Sequence, residues 1–413
     1  MEKGISMYIR EISVNEFIEF SNNHPLSTYH HSINYANFKL DHEYEYETIG
    51  LIENDQIIAG ALVLVKIIGN NLYGYIPDGM LIDYQNEQLV EIFTKAMVDY
   101  YKKEGIVFIK INPCVPINKI NYENNTIIPT DFYQVPRLLT YCGLNKLESN
   151  QNFESVLPRF NAIINLKENT FNKYHKNTKN KIRKAIRKGL IFEKADVNQF
   201  ETFYSFVGKK VSHDIFYYHD YYNIFQRDNK ADLFLVSIDY QNLIINSQNA
   251  YQEELINNQK LNDWVIKKPN THTINKKLNS DKTLASYKND ISLALASNNL
   301  EKKYIAGALV IKHKNTATIL LSGFDKNYHD FAANYFLYEN IINYYKNDYD
   351  YLNLNGITAD LSPNSKYYGL NKFKLGFKPD VYEYAGEYDL IINNRAYQHL
   401  LNKGIIQKEF EKK

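Results

Sequence analysis

One short stretch occurs twice, and that repeat limits the possible folds more than any other feature. "IIAGALVLVK" from Ile57 returns as "YIAGALVIKH" from Tyr304. Each copy is short, apolar and rich in β-branched residues, as buried strands are. Downstream of each lies a segment with helical spacing of apolar residues, "LVEIFTKAMVDYYKKEG" and "FLYENIINYYKNDY". A further strand follows in both, "IVFIKINP" and "DYLNLNG". Ala59 to Tyr100 spans 41 residues in the first copy, and Ala306 to Tyr344 spans 38 in the second. The same order of strand, helix and strand at nearly the same spacing predicts two similar α/β units. A chain of 413 residues is too long for one ordinary core, and 44% hydrophobic content suffices for two.

Between the copies the composition changes. From about Asn242 to Asn299 the chain is polar and glycine-free, rich in Asn, Lys and Gln, with Leu284, Tyr287 and Ile291 at helical spacing. Pro269, in "KKPNTHT", ends one helix and lets another begin. An antiparallel helical hairpin projecting from the second unit is expected. A disordered insertion is the competing reading, because apolar anchors are few. The expected division is a first unit at 1–158, a second built from 159–241 and 300–413, and an arm at 242–299.

The segment "NKYHKNTKNKIRKAIRKG", Asn172 to Gly189, holds eight Lys or Arg and no acid in a chain whose net charge is only +1. Phe171, Tyr174, Thr178, Ile182, Ala185 and Ile186 mark one face of a helix, and Gly189 stands where a C-terminal cap is expected. The strands "NAIINL" and "LIFEKA" flank it. A solvated face and a phosphate-binding face both remain open. The lack of any acid leans toward binding, since solvated helices usually interleave both signs.

Other classes are disfavoured. Cys114 and Cys142 are the only cysteines and form no CxxC, so neither a disulfide framework nor a zinc site is expected. The eleven His are scattered, and the adjacent His30 and His31 read as ordinary side chains. The start carries Glu2, Arg10 and Glu11 where an export signal needs an apolar run. The longest apolar run is interrupted by Lys66 and is too short to span a bilayer. A cytoplasmic protein is expected, with a membrane surface still accessible to it. There is no GxGxxG, Walker loop, HExxH or GxSxG. Two α/β units would suit a CoA-dependent N-acetyltransferase. Neither copy has the glycine-rich turn that grips a pyrophosphate, so an acyl donor other than CoA is preferred.

Five segments, in order along most of the chain, resemble the FemABX aminoacyltransferases that build peptidoglycan cross-bridges. "NYANFK" ending at Lys39 is similar to that family's aromatic-x-x-x-Lys element, and "YIPDGMLIDY" to its "YIPRGPxxDY". "NTKNKIRKAIRKG" resembles its basic helix, "NKFKLGF" its "FKxGF" motif, and "EYAGEYDLIIN" its "EYxGxF" strand. The resemblance implies an α/β (α+β) fold of two tandem GNAT-like domains with an inserted antiparallel coiled-coil arm. It implies transfer of an amino acid from aminoacyl-tRNA to the stem-peptide amine of a peptidoglycan precursor, usually lipid-linked. An activated ester needs no cofactor or metal. Partners are then aminoacyl-tRNA and the precursor, with peripheral contact at the inner membrane leaflet and with homologous bridge-building transferases.

Residue by residue, Lys374 matches a lysine that stabilises the transition state, with Phe373 before it. Glu387 matches an acidic position in the strand that follows, and Lys39 a precursor-contacting lysine. Tyr217, Tyr221 and Tyr335 are expected at the substrate. Lys181, Arg183, Arg187 and Lys188 are expected at tRNA or precursor phosphates. Two positions depart from the pattern. Asn112 stands where an acid is common, and "IFYYHDYY" from Ile215 lacks an arginine that some members place on the precursor's diphosphate. On residues alone, the favoured reading of Lys374 is a side chain whose stem merely covers an apolar strand. An acetyltransferase, an aminoacyltransferase acting on another amine, and a non-enzymatic RNA-binding protein are the alternatives.

Overall fold

The computed structural model describes residues 7–124, 126–149, 155–297 and 302–410. Among these the strands form two sheets. The spatial order in the first is Tyr8–Glu11, Glu45–Glu53, Gln56–Ile68, Asn71–Ile76, Ile106–Ile111, Tyr388–Ile391 and Leu144–Lys146. In the second it is Leu190–Ala195, Ala231–Ile238, Lys303–His313, Thr316–Phe324, Tyr351–Ile357, Phe160–Asn165, Asp380–Tyr384, Pro116–Asn121 and Thr126–Pro129.

The repeat is a repeat of topology. In each sheet the repeated strand, Gln56–Ile68 or Lys303–His313, pairs antiparallel with the next strand. A helix follows, Glu87–Lys103 or Ala333–Tyr345, and the strand after it returns parallel. Side chains alternate along a strand, so a run buried on both faces must be apolar throughout. Ala59, Ala61 and Val63 face the core of the first unit, and their counterparts Ala306, Ala308 and Val310 face that of the second. Leu64 on one strand and Leu309 and Ile311 on the other point into a third, aromatic-rich cluster that joins the units. The repeated glycine also has a cause. A Cβ at Gly60 would sit 3.2 Å from the Phe20 ring, and one at Gly307 would sit 3.1 Å from Phe203 and 3.0 Å from a backbone carbonyl. Glycine lets a helix aromatic lie directly on each strand.

The sheets do not respect the division expected at residue 158. Pro116–Asn121 and Thr126–Pro129, from the N-terminal part, extend the second sheet. Tyr388–Ile391, from the C-terminal part, is inserted into the first. The segment expected as one strand, "EYAGEYDLIIN", falls on two: Asp380–Tyr384 serves one sheet and Tyr388–Ile391 the other. Between them Gly386 adopts φ +94°.

The arm consists of helices Tyr240–Lys267 and Thr271–Ala296. Pro269 lies in the connection, and the Asn270 side chain caps the second helix by accepting from the Thr273 N–H. The arm is anchored at its base by the buried Leu243 and Ala294. Farther out its seam is polar, with Asn258 donating to Ser280 at 3.0 Å and to Asp281 at 2.8 Å. No helix among the described residues is long and apolar enough to cross a membrane.

Candidate active site

Two cavities share a wall. The larger, about 700 Å³, lies between the units and is lined by Thr28, His30, Asp78, Tyr217, Tyr221 and Glu387, among others. The second, about 640 Å³, opens within the second unit. Its origin is the parallel pair there. The ladder between Thr316–Phe324 and Tyr351–Ile357 runs from Thr316 to Thr318; beyond it the strands part, and the Asn355 side chain reaches across to the Ile319 and Leu320 carbonyls at 3.4 Å. Pro158, Lys210, Leu320, Leu321 and Asn355 line both cavities, so the two lie side by side against a common wall.

Lys374, Phe373 and Tyr335 line the second cavity. Lys374 belongs to the helix Tyr368–Leu375 and is buried, with Nζ donating to the Gly356 carbonyl at 2.7 Å. It forms no ion pair among the described residues, and burial alone pulls its ammonium down to about 7. The helix is pinned by Asn371, which sequence reasoning missed. That amide accepts from the Thr358 N–H at 3.1 Å and donates to Thr358 Oγ1 at 2.8 Å. Phe373 packs edge-on against Tyr335 and Tyr338, with centroids 4.9 and 4.7 Å apart. Gly376 brings in the basic helix: a Cβ there would collide with Thr178 Oγ1, and the His175 N–H donates to the Gly376 carbonyl at 3.0 Å.

Glu387 is in the other cavity. Its carboxylate is 5% exposed as a residue and already engaged, accepting from Ser155 Oγ at 2.5 Å and from the Val156 N–H at 2.7 Å. Tyr217 and Tyr221 come from the helix Ile215–Gln226. Lys39 stands behind Tyr217, donating to its hydroxyl at 3.3 Å amid the rings of Tyr35, Phe38 and Tyr44. Burial, and then the neighbouring Lys66, lower the Lys39 ammonium to about 8.

The basic helix is Lys176–Arg187, preceded by a 3-10 turn that carries Phe171. Thr178, Ile182 and Ala185 face inward as expected and Gly189 has φ +69°, but Ile186 is exposed. The four expected phosphate-contacting residues divide. Arg183 is exposed and Lys181 is partly so. Arg187 reaches the arm, donating to the Tyr287 hydroxyl at 3.3 Å. Lys188 must be withdrawn from the set: at the helix end it turns inward, 2.5 Å from Asp290 of the arm and over the Phe331 ring. A buried, paired ammonium is not available to a phosphate.

Sequence reasoning also missed a cluster around His30 and Asp78. The two lie 2.7 Å apart yet 48 residues distant in sequence, a separation at which no spacing rule operates. Asn112 is 7% exposed, lines the interdomain cavity and has a carbonyl oxygen without a partner among the described residues.

Two topologically repeated α/β units meeting around a pair of adjoining cavities define the class: a tandem α/β scaffold. The chain belongs to the FemAB family, whose model matches residues 12–402. An aminoacyltransferase FemA of Staphylococcus epidermidis is 25% identical over 95% of this chain and 97% of its own length. One of Staphylococcus aureus is 23% identical with the same coverage. Among solved structures, that of FemX superposes with a TM-score of 0.72 at 20% identity, over 95% of this chain and 99% of that one.

Proposed function

We propose that this aminoacyltransferase moves an amino acid from aminoacyl-tRNA to the stem-peptide amine of a lipid-linked peptidoglycan precursor, extending the cell-wall cross-bridge. The observation that carries this reading is the pair of adjoining cavities, with Lys374 lining one and Glu387 the other. Two reactants held one in each would face each other across the shared wall. The aminoacyl ester would lie between the parted strands and the acceptor amine in the interdomain space, beside Glu387, Tyr217 and Tyr221. Lys39 would support that second subsite from behind Tyr217.

The donor is an activated ester, so the remaining barriers are two. A lysine-like amine has a pKa near ~10.4, so only about one molecule in a few thousand is neutral at pH 7. The tetrahedral intermediate carries an oxyanion, for which a fixed cation in a dry site is worth about 3–4 kcal/mol. Lys374, held by Gly356 and with no carboxylate partner among the described residues, is suited to that oxyanion. Phe373 and its neighbours Tyr335 and Tyr338 exclude water around it.

The test is a reaction of the protein with a panel of charged tRNAs and lipid-linked precursor, read by mass spectrometry. The expected product is the precursor heavier by one amino-acid residue with at least one donor. No increment with any charged tRNA, or an acetyl increment from acetyl-CoA instead, overturns the reading.

The basic helix supplies a separate expectation. Each phosphate contact releases counterions and steepens the salt dependence of binding. Changing Lys181, Arg183 and Arg187 together to Gln is expected to flatten the slope of log affinity against log salt for charged tRNA or precursor. An unchanged slope for both ligands returns the helix to a solvated face. Lys188→Gln is expected to act differently, lowering stability by stranding Asp290.

A further inference from the structure

We infer that His30, oriented by Asp78, is the base that takes the proton from the acceptor amine. This rests on the proposed function and names a residue for the step that reading leaves unassigned. The two adjacent histidines make the case by contrast. His31 has both nitrogens in use: Nδ1 accepts from the Thr28 N–H at 3.0 Å, so Nε2 carries the proton and donates to the Gly79 carbonyl at 3.0 Å. It closes a turn. His30 uses only one. A carboxylate can only accept, so the 2.7 Å bond to Asp78 Oδ2 fixes the proton on Nδ1 and leaves the Nε2 lone pair free. Nε2 has no hydrogen-bond partner among the described residues, and the residue lines the interdomain cavity.

The surroundings hold the ring in this state. Thr28 Oγ1 donates to the same carboxylate oxygen at 2.6 Å. The rings of Tyr29 and Tyr35 lie 4.0 and 4.7 Å from the imidazole. Asp78 sits in an Asp-Gly turn with φ +57°, a conformation that Asp tolerates, and its side chain points into the protein rather than to solvent. Burial would raise the Asp78 carboxyl, but the positive charge His30 takes on with a proton, and the hydrogen bonds from His30 and Thr28, bring it below its usual value, so it remains a carboxylate. Glu387 is the rival base, yet each of its oxygens already accepts a hydrogen bond that holds residues 155 and 156.

The step balances. His30 Nε2 takes one proton from the acceptor ammonium. The freed nitrogen lone pair attacks the ester carbonyl carbon, forming the C–N bond and an oxyanion. As the bond from carbon to the tRNA ribose oxygen breaks, the leaving oxygen takes the proton back from the imidazolium. The amide nitrogen loses its second proton to water. One amide, one alcohol and one proton result.

Other titratable groups near the ring do not mimic this behaviour. Burial keeps His31 and His313 neutral, and it raises Cys114, Tyr29, Tyr35 and Tyr384, which stay protonated. Glu387, Arg159 and Lys210 stand farther round the cavity wall.

His30→Asn keeps an N–H toward Asp78 and removes the basic nitrogen. With a charged tRNA on which the wild type is active, single-turnover transfer is expected to fall at least about a hundredfold. Melting temperature and precursor affinity should stay close to wild type. Asp78→Asn, which moves the imidazole proton to Nε2, is expected to give a similar loss. His30→Ala should be partly restored by added imidazole, which a purely structural residue would not allow. Near-normal transfer by His30→Asn overturns the assignment. If that variant does not fold, an Asp78→Asn protein with wild-type rates overturns it equally. A wild type inactive with every charged tRNA overturns the proposed function instead, and this inference with it.

Discussion

Lys374→Met is expected to lower single-turnover transfer at least about a hundredfold while precursor affinity stays near normal. The substitution keeps most of the apolar stem and removes a charge that matters chiefly once the oxyanion forms. The pH dependence sharpens the test. With its ammonium near 7, Lys374 loses its charge as pH rises past neutrality, so transfer should decline on the alkaline side. Lys374→Arg, always charged, should abolish that decline yet recover only part of the rate, because a planar fork cannot place its charge at the same point. Stability moves in its own direction. The folded-state pKa lies below the unfolded value of about 10.4, so the unfolded chain binds more protons between those two values and Lys374 costs most stability below pH 7. Lys374→Met should therefore gain melting temperature relative to wild type at pH 6–7, and the gain should shrink toward pH 10. Near-full transfer by the Met variant would make Lys374 a structural residue.

Asp389→Ala is expected to destabilise the protein by about 3–5 kcal/mol in urea denaturation. Asp389 and Lys110 are each 1% exposed as side chains and lie 3.0 Å apart, and the Tyr397 hydroxyl donates to the same carboxylate at 2.8 Å. Removing the acid leaves an uncompensated ammonium between two packed layers. The double variant Asp389→Leu, Lys110→Met should recover much of the loss, since apolar residues of similar size can replace a buried pair. A cost below about 1 kcal/mol for the single variant would mean that water reaches Lys110.

The duplication was legible because both faces of Gln56–Ile68 and Lys303–His313 are buried, which forces the long apolar runs that made the repeat visible. The arm was legible through Pro269 and the absence of glycine. Lys374, Phe373 and Glu387 came from motif resemblance, and physical reading of the residues alone would have left them undistinguished. The strand exchange left no local mark, since "VYEYAGEYDL" alternates as one strand would and only Gly386 interrupts it. Lys188 looked like its neighbours because helical spacing does not reveal which end of a helix meets another element. His30 and Asp78 meet only through the fold, as do the two cavities.

The exchanged strand bears on how the chain is made. Ile106–Ile111, buried at every position, has Asn71–Ile76 on one side and Tyr388–Ile391 on the other. A ribosome must add about 280 further residues after Ile111 before that second neighbour exists. At ~5–20 residues per second, this is roughly 15–55 s during which a nascent first unit carries an apolar strand with one side unbonded. Such an edge is a template for pairing with another chain. The first sheet can close over that strand only once residues 388–391 have emerged.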